Sequence, residues 1–151
     1  MGDAVQAISN VMFRYAELID QGDFGGAGAL FTHGRFRAIT PDGIRTAEGA
    51  DAITRQLAST VRRYGDGTPR TRHITTNLIV ESGAEPDTMT CRSYFTVLQS
   101  VEGFHLVPVI AGRYHDTFVL RDGAWWFLDR LVMPDLIGDL SHHLYVSPWG
   151  E

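Results

Sequence analysis

The chain has 151 residues, a formal net charge of −5 and 44% hydrophobic residues, a composition typical of one globular domain. All 13 basic residues are arginine, since the sequence contains no lysine, which excludes enzymes that depend on a lysine Schiff base or a P-loop lysine. The arginines are scattered rather than collected in a stripe, so a nucleic acid is not an expected partner.

The N-terminus, the apolar runs and the cysteine content indicate the cellular compartment to expect. The N-terminus has no basic region followed by an apolar stretch, and no apolar run approaches the roughly 20 residues that span a bilayer. We therefore expect a cytoplasmic protein with no membrane partner. The single cysteine, Cys91, cannot form an internal disulfide, and we interpret it as a small buried hydrophobic residue.

The first two predicted elements are helices. Over residues 5–19, apolar side chains recur at the spacing of one helix face. Asp23 can cap a second, short helix that runs to Phe31. Three glycines lie within it: Gly25, Gly26 and Gly28. No strand precedes them and their spacing is not that of a nucleotide loop, so we interpret them as sites of close helix packing.

A short hairpin and a third helix follow. Residues 36–39 and 44–46 are joined by the turn Pro41–Asp42–Gly43. Apolar positions between residues 53 and 64 then recur on one helix face, and a glycine-rich segment with Pro69 ends that pattern.

From residue 71 onward the hydrophobic period changes to two, which is typical of strands. Four strands are predicted, over residues 71–81, 88–101, 104–121 and 124–133. Pro108 and Gly112 indicate a bulge or bend in the third of them. The order predicts an α+β fold, as a single domain over residues 1–151, in which the helices cover one face of a curved antiparallel sheet and enclose a cavity.

The histidines are the first candidates for chemistry. His73 stands apart because it opens a predicted strand, directly after an arginine-flanked loop, at the edge of the expected cavity. Solvent exposure or ordinary hydrogen bonding is predicted for three others: His33, His105 and His115. The His142–His143 pair with Asp139 invites a metal hypothesis, but no further ligand of defined spacing accompanies them, and we expect no metal site.

Strict alternation along residues 73–81 leaves the orientation of His73 open. The more apolar parity carries Ile74, Leu78 and Val80, which places His73 on the opposite, more polar face with Thr75 and Asn77. That polar face is either the wall of a functional cavity or a surface exposed to solvent.

Short motifs are distributed along nearly the whole chain. They are Tyr15 and Asp20 in YAELID, Ala29–Leu30–Phe31–Thr32, Gly49 with Ile53, Arg72 to Asn77 in RHITTN, Gly112–Arg113–Tyr114, and Gly123 with Trp125 and Arg130. In order and spacing the set resembles the SnoaL-like branch of the nuclear transport factor 2-like superfamily. The resemblance implies a cone-shaped, cystatin-like α+β fold with a deep cavity.

Within this branch the resemblance implies cofactor-free lyases, such as scytalone dehydratase, bile acid dehydratase and hexachlorocyclohexane dehydrochlorinase. In the latter two, an aspartate at the end of the first helix pairs with a histidine that opens the first long strand, and these residues match Asp20 and His73. On this basis we expect His73 and Asp20 to be catalytic and no cofactor to be bound. The expected substrate-binding residues are Tyr15, Arg130, Asn77, Tyr114 and Trp126.

Two functions of different class stay open. In the first, the protein is a lyase or isomerase in which neutral His73 removes a proton from a small hydrophobic or aromatic metabolite while Asp20 fixes the imidazole tautomer. General acid–base help contributes only about 10²–10⁴-fold, so the substrate itself must carry an acidified proton or a good leaving group. Dehydration, dehydrohalogenation, double-bond migration and ring closure of the polyketide cyclase type all meet that condition. In the second, the domain is a non-catalytic ligand-binding or subunit module.

A third function, epoxide hydrolysis, ranks lower because it needs an additional constellation of aspartate and arginine that activates water. We interpret Asp116 and Asp129 as surface charges of strands.

The remaining expectations concern assembly and the C-terminus. More hydrophobicity than one sheet face needs is carried by the strand positions Tyr94, Thr96, Leu98, Val107 and Val109. They predict a homodimer, or a higher homo-oligomer, through the exposed face. Residues 134–151 are too apolar for a free tail. We expect them to pack, as a short helix over the cavity mouth or a partner subunit, with His142 and His143 at the surface.

Overall fold

The computed structural model describes residues 2–150, which form three helices and six strands. In chain order these are α1 (Gly2–Asp20), α2 (Phe24–Ala29), β1 (Arg35–Thr40), β2 (Gly43–Glu48), α3 (Ala50–Thr60), β3 (Thr71–Ser82), β4 (Thr88–Gln99), β5 (Val107–Arg121) and β6 (Ala124–Ile137). The predicted α+β order is confirmed. Within the described residues no helix is long and apolar enough to cross a membrane.

The six strands form one sheet in the order β2-β1-β6-β5-β4-β3. Every neighbouring pair is antiparallel except β1 and β6, which run parallel. The sheet is therefore mixed at that one junction. The hairpin of β1 and β2 extends the four long strands instead of standing apart from them.

Irregular pairing bends the long strands. The register shifts between Val97 and Leu98 in the β4–β5 pair, opposite Pro108, and again next to Gly112 in the β5–β6 pair. At Gly112 a Cβ atom would lie 2.3 Å from the Met133 carbonyl oxygen, so only glycine permits this approach of β6. The predicted bend of the long strand is thus confirmed, and such bulges curve the sheet.

The core lies between the helices and the inner face of the sheet. The buried stripe of α1 consists of Ile8, Val11, Met12, Tyr15, Ala16 and Ile19. It meets an aromatic cluster in which the Phe127 ring stacks on Phe31, with centroids 4.5 Å apart, and packs at a tilt on Phe118, with centroids 4.6 Å apart. This packing fixes α1 against the sheet, and with it the position of its last residue, Asp20.

Two element ends that differ from the predicted ones affect where histidines lie or how the cavity closes. The third helix stops at Thr60 because Val61 is extended and forms a β-bridge with Leu144. The third long strand begins at Val107 and not at residue 104, so His105 lies in the segment before it, while His115 lies in the strand.

The C-terminal segment, residues 138–150, packs against the domain as expected, but it forms turns rather than a helix. Its backbone is hydrogen-bonded to the end of α3 and to the residues that follow α3. The amide of Tyr145 donates to the Thr60 carbonyl, and the amide of Arg62 donates to the His143 carbonyl. Leu140 and His143 are buried. The prediction that His143 is a surface residue is wrong because this segment folds back over the cavity.

The outer face of the sheet keeps part of the predicted hydrophobicity. Tyr94 and Val107 are exposed, whereas Val109 is buried because the irregularity at Pro108 turns it inward. The homodimer stays a prediction.

Gly28 provides a test of the close helix packing expected from the sequence. A Cβ atom there would lie 2.2 Å from Thr54 Oγ1 and 2.7 Å from the Ala50 carbonyl oxygen, so Gly28→Ala forces α2 away from α3. We expect it to lower the free energy of unfolding by about 1–3 kcal/mol in urea titrations. At Gly25 the nearest atom would be 3.9 Å away, so Gly25→Ala is the matched control and should be neutral or stabilising by up to about 1 kcal/mol. Equal stability of the two variants would contradict this account of the α2–α3 contact.

Candidate active site

A cavity of about 190 Å³ lies between α1, α3, the inner face of the sheet and the C-terminal segment. Most of its wall is apolar, including Ile19, Ile53, Phe95, Val97 and Leu140. Its ionisable groups include two histidines and two tyrosines: His73, His143, Tyr15 and Tyr114. Such a site favours a small, largely apolar ligand that carries a few polar groups.

His73 and Asp20 form a hydrogen-bonded dyad at this wall. The Nδ1 atom of His73 lies 2.6 Å from Oδ1 of Asp20, and the His73 backbone amide donates to Oδ2 at 2.8 Å. The Thr71 hydroxyl donates to Oδ1 at 2.8 Å. Each side chain of the dyad is only 9% exposed. The end of α1 is therefore bonded to the start of β3 through one carboxylate.

The hydrogen bonds determine the chemical state of the dyad. Burial acts to raise the pKa of Asp20, but the hydrogen bonds and charge of His73, together with the Thr71 hydroxyl, outweigh it and lower the pKa below the ordinary value of 3.8. An ionised carboxylate only accepts hydrogen bonds, so the proton of neutral His73 resides on Nδ1. The other ring nitrogen, Nε2, then carries a lone pair and can act as a base.

A bulge in β3 resolves the orientation of His73. The register shifts between Thr76 and Ile79, where Asn77 adopts a φ of 59°. Before the bulge His73 points inward, opposite Val97; after it Val80 points inward, opposite Cys91. The apolar residues Leu78 and Val80 therefore share the inner face with His73. Strict alternation fails here because the bulge changes the parity.

Asn77 itself is exposed and does not line the cavity, so its predicted role in substrate binding is not supported. Asparagine tolerates the left-handed conformation better than most residues, and this explains its presence at the bulge.

Tyr15 and Tyr114 line the cavity and enclose the guanidinium group of Arg130. Its Cζ atom lies 3.6 Å from the centroid of the Tyr114 ring and 4.5 Å from that of Tyr15. Burial raises the pKa of both tyrosines, against the opposing effect of Arg130. Both hydroxyls therefore stay protonated at neutral pH and can donate a hydrogen bond to a ligand oxygen.

Arg130 is fully buried in an ion pair with Asp116, its direct neighbour across the β5–β6 pair. Nε and Nη2 of Arg130 donate to the two carboxylate oxygens at 2.8 and 2.9 Å. Burial opposes the charge of Arg130, but Asp116 outweighs it and raises the pKa of the guanidinium. Asp116 is thus a buried partner and not the surface charge that was expected.

His143 is the cavity residue that the sequence-based interpretation missed. Its side chain is 6% exposed, and its ring centroid lies 6.4 Å from that of His73. Burial, and then the proximity of His73, lowers its pKa to about 3, so the ring is neutral over the physiological range. No periodic pattern covers residues 138–150, so nothing in the sequence indicates which of the two adjacent histidines points inward.

The family model of the SnoaL-like domain matches residues 3–130, which is most of the chain. The chain belongs to the SnoaL-like family. No curated protein matches it.

Solved structures share the fold of this SnoaL-like domain. A protein from Novosphingobium aromaticivorans described as nuclear transport factor 2-like with a cystatin-like fold is 22% identical, with a TM-score of 0.68 over 85% of this chain and 79% of its own. The "Putative Scytalone Dehydratase" of the same organism is 23% identical, with a TM-score of 0.71 and coverage of 92% and 91%. ActVI-ORFA of Streptomyces coelicolor is 19% identical, with a TM-score of 0.73 and coverage of 92% and 100%. At these identities the likeness establishes the fold.

In this SnoaL-like domain, therefore, the residues predicted for the site divide into two groups. His73, Tyr15 and Tyr114 line the cavity, and Asp20 is bonded to His73 beside it. The others do not line it: Arg130 lies behind the tyrosines, and Asn77 is on the exposed bulge of β3.

Trp126 also lies away from the cavity, with its ring centroid 5.0 Å from that of His33 and its Nε1 donating to the Arg121 carbonyl. A register shift between Thr117 and Phe118 separates Trp126 from Arg130, so the two do not share a face. Asp129 forms ion pairs with Arg35 and Arg37 and is only partly exposed. Among residues 2–150 no cluster of three or more histidine, cysteine, aspartate or glutamate side chains could hold a metal ion.

The buried ion pair predicts a large asymmetry between two arginine substitutions. Arg130→Met leaves Asp116 buried without its partner, so we expect a loss of about 3–5 kcal/mol in the free energy of unfolding. Arg113→Met is the matched control, because its pair with Asp135 is 45% and 40% exposed, and it should cost less than about 1 kcal/mol. The double variant Arg130→Met/Asp116→Leu should be more stable than Arg130→Met alone, since it leaves no unpaired charge. A double variant less stable than the single one would contradict this interpretation.

The pKa of Asp20 predicts how the dyad contributes to stability across pH. A carboxyl whose pKa is lower in the folded than in the unfolded state stabilises the fold above the unfolded value, and this contribution is lost as the pH falls through the folded value. Asp20→Asn should therefore reduce stability at neutral pH, and the difference from the wild type should shrink as the pH falls below about 4. Chemical denaturation from pH 7 to pH 2 measures it, with Glu17→Gln, an exposed substitution on the same helix, as control. A difference that stays constant down to pH 2 would count against the ionised dyad.

Proposed function

We propose that this protein is a cofactor-free acid–base enzyme, a lyase or isomerase that acts on a small, mostly apolar metabolite with an activated C–H bond. The observation that carries the proposal is the 2.6 Å hydrogen bond between Asp20 and His73 at the wall of the cavity. Besides the imidazole, the Asp20 carboxylate accepts hydrogen bonds from the Thr71 hydroxyl and the His73 amide, and its side chain is only 9% exposed. A surface ion pair would not need this degree of burial and support.

In the proposed reaction Nε2 of His73 takes the proton from the activated carbon. Asp20 holds the ring in the tautomer that leaves Nε2 unprotonated and stabilises the imidazolium that forms. The electron pair of the broken C–H bond then forms a new double bond. In a dehydration the C–O bond of the adjacent carbon breaks and the hydroxyl takes the proton from the His73 imidazolium, so water leaves and the ring is neutral again. In an isomerisation the imidazolium returns the proton to a different carbon of the same substrate.

The tyrosines support such a reaction because they supply hydrogen-bond donors without a net charge. A donor directed at a carbonyl oxygen stabilises the negative charge that develops when the neighbouring C–H bond breaks. Tyr15 and Tyr114 hold their protons because burial raises the pKa of each. Arg130 and Asp116 neutralise each other behind them, so the pair orients the rings and brings no uncompensated charge toward the ligand.

The relatives are consistent with this class of chemistry. The "Putative Scytalone Dehydratase" carries the name of a lyase, and it shares the fold over 92% of this chain. Its name alone does not fix the reaction of this protein, since one fold hosts many functions. The proposal therefore names the class of reaction and leaves the leaving group open.

The base function can be tested without the natural substrate. 2-Tetralone is a bicyclic ketone with acidic α-protons, and exchange of these protons for deuterium in D₂O can be followed by proton NMR. The wild type should accelerate the exchange over buffer. His73→Ala should remove about 10²–10⁴-fold of that acceleration, and Asp20→Asn should remove much of it because an asparagine amide would oppose one of the three donors that Asp20 accepts.

The double variant supplies the internal control for this experiment. Because His73 and Asp20 act on one proton transfer, His73→Ala/Asp20→Asn should be no slower than His73→Ala alone. His115→Ala, on the exposed outer face, should exchange at the wild-type rate. Full exchange activity in His73→Ala would end the mechanism, and tight binding of 2-tetralone without any acceleration would instead favour a ligand-binding module.

A further inference from the structure

His143 shows the features of a ligand-binding group. It lines the cavity, its side chain is 6% exposed, and its Nδ1 atom is buried without a hydrogen-bond partner among the described residues. A buried polar nitrogen without a partner destabilises a fold, and native proteins satisfy the great majority of such groups. A group that stays unsatisfied in the free protein therefore needs an explanation.

The chain around His143 is held firmly, so its position is built into the fold. The His142 carbonyl accepts hydrogen bonds from the Tyr64 hydroxyl and from the Gln99 side chain. The His143 carbonyl accepts from the amide of Arg62, and Leu144 forms the β-bridge with Val61. These contacts come from both β4 and the segment after α3. They fix the backbone, and they leave the imidazole of His143 directed at the cavity instead of using it as a structural link.

The two histidines of the cavity are close enough to contact one ligand. Two flat groups that hold a third ring between them must be about 7 Å apart, twice a van der Waals contact of about 3.5 Å. The ring centroids of His73 and His143 are 6.4 Å apart and the rings are inclined at 63°. A ligand therefore does not fit between the rings. A ligand in the cavity that contacts both rings places neighbouring atoms beside different histidines.

The two rings differ in what they can do. Asp20 fixes the tautomer of His73 and makes it a base. Within residues 2–150 no acceptor or donor on Nδ1 fixes the tautomer of His143, so its neutral ring can either donate to a carbonyl or accept from a hydroxyl.

We propose that His143 is the oxygen-binding residue of the cavity, and that it selects substrates with a hydroxyl or carbonyl group next to the carbon that His73 deprotonates. The inference rests on the proposed function, in which His73 is the base, and it places the substrate oxygen beside the carbon that His73 deprotonates. Among the reactions open to the dyad, it favours dehydration, isomerisation of an oxygenated substrate and ring closure over loss of halide from a hydrocarbon skeleton. His143 binds and positions the substrate, and the proton transfer belongs to His73.

The test compares 2-naphthol with naphthalene, which differ by one hydroxyl group. Dissociation constants for both are measured by fluorescence on wild type and variants. The wild type should prefer 2-naphthol, and His143→Phe, which keeps a ring of similar size, should reduce the preference by about tenfold while naphthalene binds as before. His143→Gln, which retains a hydrogen-bonding side chain, should restore part of it. His142→Phe is the matched control, because the adjacent ring packs on Phe104 outside the cavity and its loss should leave the preference unchanged.

Each outcome separates this inference from the proposed function. An unchanged preference in His143→Phe, or a wild type that binds the two probes equally or binds neither, overturns the role of His143. A lost preference together with full deuterium exchange in His73→Ala supports the role of His143 and overturns the acid–base mechanism. With 2-tetralone as substrate, His143→Phe should raise KM for exchange more than it lowers kcat, whereas a change confined to kcat would overturn the positioning role.

Discussion

The site depends on the carboxylate of Asp20, the last residue of α1, which is hydrogen-bonded to Thr71 and His73 at the start of β3. An aspartate at the C-terminal end of a helix is electrostatically unfavourable, because the helix dipole is negative there. Hydrogen bonds from Thr71 and from the backbone and ring of His73 offset this cost. All three bonds keep Asp20 ionised, and the two that involve His73 orient it. A position that is poor for helix stability is therefore the one that makes the imidazole a base.

Irregularities in the sheet place the other polar groups. The bulge at Asn77 brings His73 and Val80 to one face of β3, and the register shift at Thr117 separates Arg130 from Trp126. Arg130 is thereby turned into the core, where Asp116 neutralises it and Tyr114 stacks on it. A buried pair of this kind contributes little net stability, but it leaves two tyrosine hydroxyls at the cavity wall with no net charge behind them. Most of the cavity wall is therefore apolar, and its polar groups include the two histidines and the two tyrosines.

The C-terminal segment completes the cavity and adds the second histidine. Residues 138–150 contain no helix or long strand, and they are held by backbone contacts to Thr60, Val61 and Arg62. Because α3 stops early, these residues are free to pair with the segment that returns from β6. The end of α3 thus determines where the C-terminal segment lies, although the two are far apart in sequence. His143 forms part of the cavity wall as a consequence.

The sequence by itself determined the order of the elements, the change from helical to strand periodicity at residue 71 and the bend near Pro108, since each depends on local pattern and local backbone preference. It also indicated the pairing of Asp20 with His73 through family resemblance, because the two motifs keep their places on α1 and β3. Only the tertiary structure decided which side chains face the cavity. A bulge reverses the parity of the residues on either side of it, and two separate bulges, one in β3 and one in the β5–β6 pair, left Asn77 and Trp126 outside the site. His143 entered it, and Asp116 became the buried partner of Arg130, through contacts between segments distant in the chain that no periodicity records.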